Sequence, residues 1–280
     1  FRTSRLISDY RIRPVFVFDG DPPTLKRVEV ERRRELRARA EEEYVAAVEA
    51  GDYATAFSKA VQTGRLTAEM IDDSKRLLDL LGAPWVQAPG EGEAQAAHMA
   101  RRGDVWAASS RDYDSLLFGA PRLLRYLTIE GKEWLPSKGM ARNLEPEIIE
   151  LKILLTHHMI TRDQLVDIAI LIGTDYNDGV RGIGPKTALS LVREHGCLED
   201  MPGDLAVRLP VEYPEIRRIF LEPDVTDDYV VDQGAFDGEG LFDFLCGERN
   251  FSRKRVESVV ERMEKAKRQR SLEDWFRRGL

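Results

Sequence analysis

Cysteine is scarce in this 280-residue chain: Cys197 and Cys246 stand far apart, without the spacing of a metal site. That excludes a disulfide framework and fits two buried free thiols in a reducing compartment. The four histidines, His98, His157, His158 and His195, show no ligand spacing and read as packing or surface residues. No apolar run approaches the ~20 residues that span a bilayer, and no signal-peptide pattern is visible. A phosphate loop of the G-x-x-x-x-G-K-[ST] type is missing too. Nor is there an excess of positive charge. The net charge is −7, which weighs against a non-specific nucleic-acid binder.

The distribution of the charge points the other way. The chain is 42% hydrophobic and 32% charged, the balance of a soluble globular protein, and long enough for one large domain or a domain with an insertion. Its charge is segregated. Lys26 to Arg39 carries seven basic residues against three acidic ones, and Arg249 to Arg278 is basic-rich. Glu222 to Glu248 holds nine acidic residues and no Lys or Arg. Basic faces are therefore hidden inside an acidic total.

Two carboxylate pairs, Glu91/Glu93 and Asp112/Asp114, lie about twenty residues apart. Glu91 and Glu93 open a helix, Ala94 to Arg102, that Gly103 stops. Asp112 and Asp114 follow the expected strand Val105-Trp106-Ala107-Ala108. Asp19 ends another expected strand, Ile12 to Phe18, whose near-continuous apolar character suggests a parallel sheet buried on both faces. Ligands of such sheets gather beyond the strands' carboxyl ends. Carboxylates converging there repel one another unless a cation sits between them, and hard divalent ions with oxygen ligands answer that need. The plainer alternative is helix-dipole and turn chemistry, which serves for either pair taken alone.

Helices are expected over Phe1 to Tyr10, from Leu25 to about Leu81 with breaks near Gly51 and Gly64, over Asp163 to Ile172, over Leu189 to Glu194 and over Ser252 to Lys267. The helix after Leu25 is charged all round, so it either projects into solvent or lies against a polyanion. Leu123 to Leu127 and Glu133 to Leu135 suggest a hairpin around Glu130-Gly131-Lys132. Gly173-Thr174-Asp175-Tyr176-Asn177 supplies one more carboxylate in a Gly-bounded turn. Arg181-Gly182-Ile183-Gly184-Pro185-Lys186 then enters a helix whose first amides suit one backbone phosphate. Phe242, Phe244 and Leu245 are expected in the core, as are Trp85, Trp106 and Trp134. In the terminal Gln269-Arg270-Ser271-Leu272-Glu273-Asp274-Trp275-Phe276, two large aromatics either fold back or dock in a partner.

Together these motifs, in this order from Phe1 to Leu280, resemble the archaeal and eukaryotic flap endonucleases, within the structure-specific 5′ nucleases. The resemblance implies an α/β fold: a parallel-type central sheet flanked by helices (a PIN-like nuclease core), a helical arch and a helix–turn–helix element that binds duplex DNA. It implies hydrolysis of DNA at 5′ flaps, nicks or gaps, with 5′–3′ exonuclease activity, in replication and repair. It assigns Asp19, Glu91, Glu93, Asp112, Asp114 and Asp175 to two Mg²⁺ ions (Mn²⁺ a possible substitute), and Lys26 and Arg33 to neutralising the scissile phosphate. Arg181, Gly182, Gly184 and Lys186 would grip duplex DNA, together with a K⁺ ion. Gln269, Leu272, Trp275 and Phe276 match a peptide that engages the sliding clamp (PCNA). A monomer is expected, cytoplasmic in an archaeon or nuclear in a eukaryote.

The corresponding regions are 1–25 for a remnant of the N-terminal nuclease region, 26–81 for the arch and 82–160 for the acidic cluster. They continue with 161–222 for the duplex-binding element, 223–262 for C-terminal core segments and 263–280 for the clamp-binding tail. Relatives carry a further metal-binding Asp after their first strand, with basic residues near it, and that region is absent from the chain as given. The expectation is a truncated chain with weak metal binding or no activity. Two other readings stand beside this one: a repair nuclease of the same family cutting bubbles or junctions, and a non-catalytic clamp-tethered DNA-binding protein.

Overall fold

The computed structural model describes residues 1–53, 55, 59, 66–127, 132–135 and 140–278; at Val28, 132–135, 140–142 and 269–278 the backbone alone is described. The fold is α/β, with two short parallel strand pairs among helices. Strand β1 (Phe16–Phe18) pairs in parallel with β2 (Trp85–Gln87), Phe18 opposite Gln87. Strand β3 (Ala108–Ser109) pairs in parallel with β4 (Arg122–Arg125), which pairs on its other edge with antiparallel β7 (Glu147–Glu150). Strands β5 (Lys132–Leu135) and β6 (Met140–Asn143) form a separate hairpin. The expected hairpin therefore takes other partners: β4 has both edges committed to β3 and β7, so 132–135 folds onto 140–143. The turn residues Glu130 and Gly131 lie outside the described residues.

The strands are shorter than their apolar runs. Ile12 to Val15 continues β1 unpaired, and only Ala108 of the expected 105–108 strand is in β3. Trp106 is accordingly not core: it is 59% exposed, its ring covered by the Arg122 guanidinium 5.0 Å away. Between β1 and β3 lies a largely apolar slot of about 540 Å³, lined by Val15, Val17, Met99 and Leu124.

The helices follow their punctuation. Helix α1 (Arg2–Ser8) buries Leu6 and Ile7. Helix α2 (Arg27–Glu49) is charged all round and buries little. Thr67 caps α3 (Ala68–Leu81) through the Met70 amide, and Gly82 ends it in the left-handed region. Gly103 likewise ends α4 (Gly92–Arg102). Helix α5 (Asp114–Leu117) is one turn, and α6 (Leu151–His158) follows β7. A reciprocal Thr161–Gln164 capping box starts α7 (Arg162–Ile172), and Pro185 begins α8 (Pro185–His195). Beyond α9 (Gly203–Ala206), α10 (Tyr213–Leu221) and α11 (Gly238–Phe242), a π-helical turn, Asp243–Glu248, leads to α12 (Arg253–Arg278).

Two cores result. One gathers α4, α5, α7, α8 and α10 around Phe118, Val166, Leu171 and Phe220. The other packs α1, α3, the π turn and α12 under β1 and β2, with Leu241, Phe244 and Val256 at its centre. Phe244 and Leu245 are buried as expected; Phe242 is partly covered. Both cysteines are free, but half-buried rather than buried. Among the described residues no helix is long and apolar enough to cross a membrane.

Candidate active site

Parallel pairing of β1 with β2 brings two strand ends side by side, and the residues just past them bond directly. Gly20 N donates to Gly90 O at 2.7 Å, and Gly92 N donates to Asp19 Oδ1 at 2.7 Å. Both glycines are there for closeness. A Cβ on Gly20 would sit 2.2 Å from Ala88 O, and one on Gly92 2.8 Å from the Asp19 carboxylate. Asp19 is thereby locked onto the first turn of α4, where Glu91 is the N-cap and Glu93 lies in the first turn. The positive helix end favours all three carboxylates.

The β3 end delivers the second pair. Glu93 Oε1 accepts from Ser110 Oγ, and Oε2 accepts from Ser115 N at 2.9 Å and Ser115 Oγ at 3.1 Å. These bonds tie α4 to the Asp112–Asp114 loop. Burial, reinforced by the Asp112 charge, pushes the Glu93 carboxyl upward despite the serines. Asp114 is pushed up to about 6 by burial and by the charges of Glu93, Asp175 and Asp112. Asp175 arrives from the α7–α8 connection.

Positive charge comes from the arch. Lys26 Nζ donates to Glu91 at 2.8 and 2.9 Å and lies 3.3 Å from Asp175. Burial lowers the Lys26 pKa, yet Glu91 and Asp175 outweigh it and hold the ammonium charged. Arg33 Nη2 reaches both Asp175 oxygens at 3.1 Å, while its Nε donates to Glu29 at 2.7 Å.

The six candidate carboxylates thus lie on four segments: Glu91 and Asp175 meet the arch cations, Asp19 is held by the Gly92 amide, and Glu93 by Ser110 and Ser115. No three His, Cys, Asp or Glu side chains among the described residues are gathered closely enough to hold a metal ion. The Lys26 ammonium lies between Glu91 and Asp175. The donor set is all oxygen and strongly anionic, which suits a hard divalent ion.

Ser110, Ser115, Glu29 and Tyr176 belong to this site, and sequence reasoning gave them no role. Burial beside Glu91, Asp114 and Asp175 raises the Tyr176 phenol. Its ring packs on Phe220 at 5.4 Å. Serine or tyrosine beside a candidate acid is the only signal the sequence offered. Arg181, Gly182 and Gly184 sit apart on the turn before α8, and Lys186 lies in its first turn. Gly182 has φ 86°, and open space faces both glycines. Gln269, Leu272, Trp275 and Phe276 lie on the last turns of α12, but their side chains are outside the described residues.

Residues 1–40 match the XPG N-terminal domain, and residues 82–175 match the XPG I-region. Flap endonuclease 1 of Methanopyrus kandleri is 51% identical over 276 residues, covering 95% of this chain and 77% of the relative. The chain belongs to the flap endonuclease family. Flap endonuclease-1 from Methanococcus jannaschii, a solved structure, aligns with a TM-score of 0.69 at 42% identity, over 95% of this chain and 79% of that one. The catalytic core of Rad2, solved in complex with DNA substrate, shares the fold: TM-score 0.68 at 21% identity, over 94% of this chain and 82% of that one. The α/β frame of this flap endonuclease chain, with helices around short parallel strands, is that of the nuclease family. Divalent-metal use and DNA as substrate class come with it.

Proposed function

We propose that this structure-specific 5′ flap nuclease of replication and repair cuts DNA at the carboxylate cluster, and that Lys26 and Arg33 bring the scissile phosphate to it. The observation that carries the proposal is the meeting of two arch cations with acids from separate loops: Lys26 on Glu91 and Asp175, and Arg33 on Asp175.

Asp19, Glu91, Glu93, Asp112, Asp114 and Asp175 would hold two Mg²⁺ ions. Bound there, the ions would supply an activated water and charge stabilisation for the departing 3′ oxygen, so that hydrolysis would leave a 5′-phosphate and a 3′-hydroxyl. The chain's own groups do the rest. Ser110 and Ser115 fix the Glu93 rotamer, and Gly92 fixes Asp19. Glu29 aims Arg33, and Lys26 holds Glu91. Lys26 and Arg33 are preorganised donors that can pass from carboxylate to phosphate oxygens as negative charge grows there. Charge steers the DNA: the basic start of α2 stands at the arch foot, and Arg181, Gly182, Gly184 and Lys186, with a K⁺ ion, take downstream duplex backbone. The α12 terminus, with Gln269, Leu272, Trp275 and Phe276, would engage PCNA.

The test is Mg²⁺-dependent cleavage of a labelled double-flap duplex by the Asp112→Asn/Asp114→Asn variant. A loss of at least ~10³-fold, about 4 kcal/mol of barrier, is expected with flap binding retained. Unchanged cleavage overturns the site.

A further inference from the structure

Tyr113 sits between Asp112 and Asp114, yet turns away from the core: it is 53% exposed. An exposed tyrosine is ordinarily free to rotate. This one is held. Arg125 Nη1 donates to the Tyr113 hydroxyl at 2.6 Å, and the guanidinium carbon lies 4.2 Å from the ring centroid.

Arg125 is itself fixed from several sides. Its Nε donates to Arg111 O at 3.0 Å, Nη1 also reaches Glu147 at 3.2 Å, and Nη2 donates to the Tyr126 hydroxyl at 2.6 Å. Its side chain is 11% exposed. Tyr126 beneath it is buried and has φ 61°, a left-handed backbone that a bulky residue adopts only when its surroundings enforce it. All three guanidinium nitrogens are thus engaged within the protein: Nη1 holds the Tyr113 hydroxyl, while Nε and Nη2 fix the guanidinium beside it. The group stands at the carboxyl end of β4, beside the end of β3, where ligands of parallel strands collect.

We propose that Tyr113 is a stacking platform for the nucleobase next to the scissile phosphodiester, positioned by Arg125 and Tyr126. The idea rests on the reading of Asp112 and Asp114 as part of the cutting site. A ring with a cation on one face and solvent on the other is ready for a second π system, and stacking is indifferent to base identity. That suits a nuclease that selects structure over sequence. A tyrosine kept only for packing would be covered, and it would have no need of a largely covered arginine to hold it.

The test uses the full-length nuclease and double-flap DNA carrying 2-aminopurine beside the scissile phosphodiester, with Ca²⁺ in place of Mg²⁺. Wild type and Tyr113→Phe should quench the probe alike, and Tyr113→Leu should not. In Mg²⁺, Tyr113→Leu should lose roughly five- to hundredfold in kcat/KM, the range given by one base–aromatic stack. An abasic nucleotide at that position should erase the difference between Tyr113→Leu and wild type. Equal quenching and equal cleavage by Tyr113→Leu, while Asp114→Asn is inactive, overturn the stacking role alone. If Asp114→Asn also cleaves normally, the cutting site itself is misplaced.

Discussion

Two acidic clusters in this molecule are built in opposite ways. Asp167 in α7 is 2% exposed; burial pushes its carboxyl up, and Arg217 at 2.8 Å and the Leu198 amide at 3.3 Å pull it back. Arg217 also bonds Glu199 at 2.6 and 3.0 Å, and that hydrogen bond holds the Glu199 carboxyl down to about 2. One cation answers two acids, and the trio clamps α7, α10 and the turn at Glu199. In the Asp114 cluster the acids face one another instead, and Asp114 is pushed up to about 6. The first cluster is complete in the folded chain. The second has acid to spare after Lys26 and Arg33 are counted, which is what the proposed metal site requires.

Breaking the completed cluster should cost stability and spare chemistry. Arg217→Met leaves Asp167 buried without its partner, and an unfolding free energy lower by about 3–5 kcal/mol is expected from chemical denaturation. Cleavage per folded molecule should stay near wild type. The reverse holds for Lys26→Ala, which removes the cation between Glu91 and Asp175. Cleavage of a double flap should fall ~10²–10³-fold, about 2.7–4 kcal/mol, in single-turnover assays.

The surplus acid gives a third test. Because the folded Asp114 carboxyl sits near 6, above the ordinary value of 3.8, the folded state binds this proton more tightly than the unfolded chain between those values. Stability of the metal-free protein should therefore drop as pH rises from about 4 to 6. Asp114→Asn escapes that loss, so it should be more stable than wild type at pH 7 by about 1–3 kcal/mol and equal to it at pH 4. Glu199, held low, behaves oppositely: its contribution is present above the ordinary carboxyl range and is lost as pH falls through about 2. Added Mg²⁺ should raise the melting temperature of wild type more than that of Asp114→Asn. The smallest effect is expected from Glu29→Ala. Arg33 loses its 2.7 Å partner but keeps Asp175, so a severalfold fall in cleavage, about 1 kcal/mol, is expected in the same kinetics.

Sequence reasoning found the helix before Gly103 from its stop, a signal that works within one turn. The Thr161–Gln164 box and Pro185 are equally local, yet they went unread, and the helix at 185–195 was expected only from Leu189. The same reasoning overstated the strands. Val105 and Trp106 have strand propensity, but propensity does not supply a neighbouring edge, and only Ala108–Ser109 finds one. The hairpin at 130–132 failed for the same reason, since pairing partners are chosen across the whole fold.

For the site, residue type and spacing determined which acids could serve and that they would lie at strand and helix ends. Type and spacing are written in the chain, and electrostatics of that kind requires no coordinates. Only the tertiary structure decided that Lys26 would reach Glu91 and Asp175, that Ser110 and Ser115 would hold Glu93, and that Arg125 would pin Tyr113. Those contacts join residues from 12 to 149 positions apart in the sequence. Such distant pairs meet only after β1 has paired with β2, and β3 with β4.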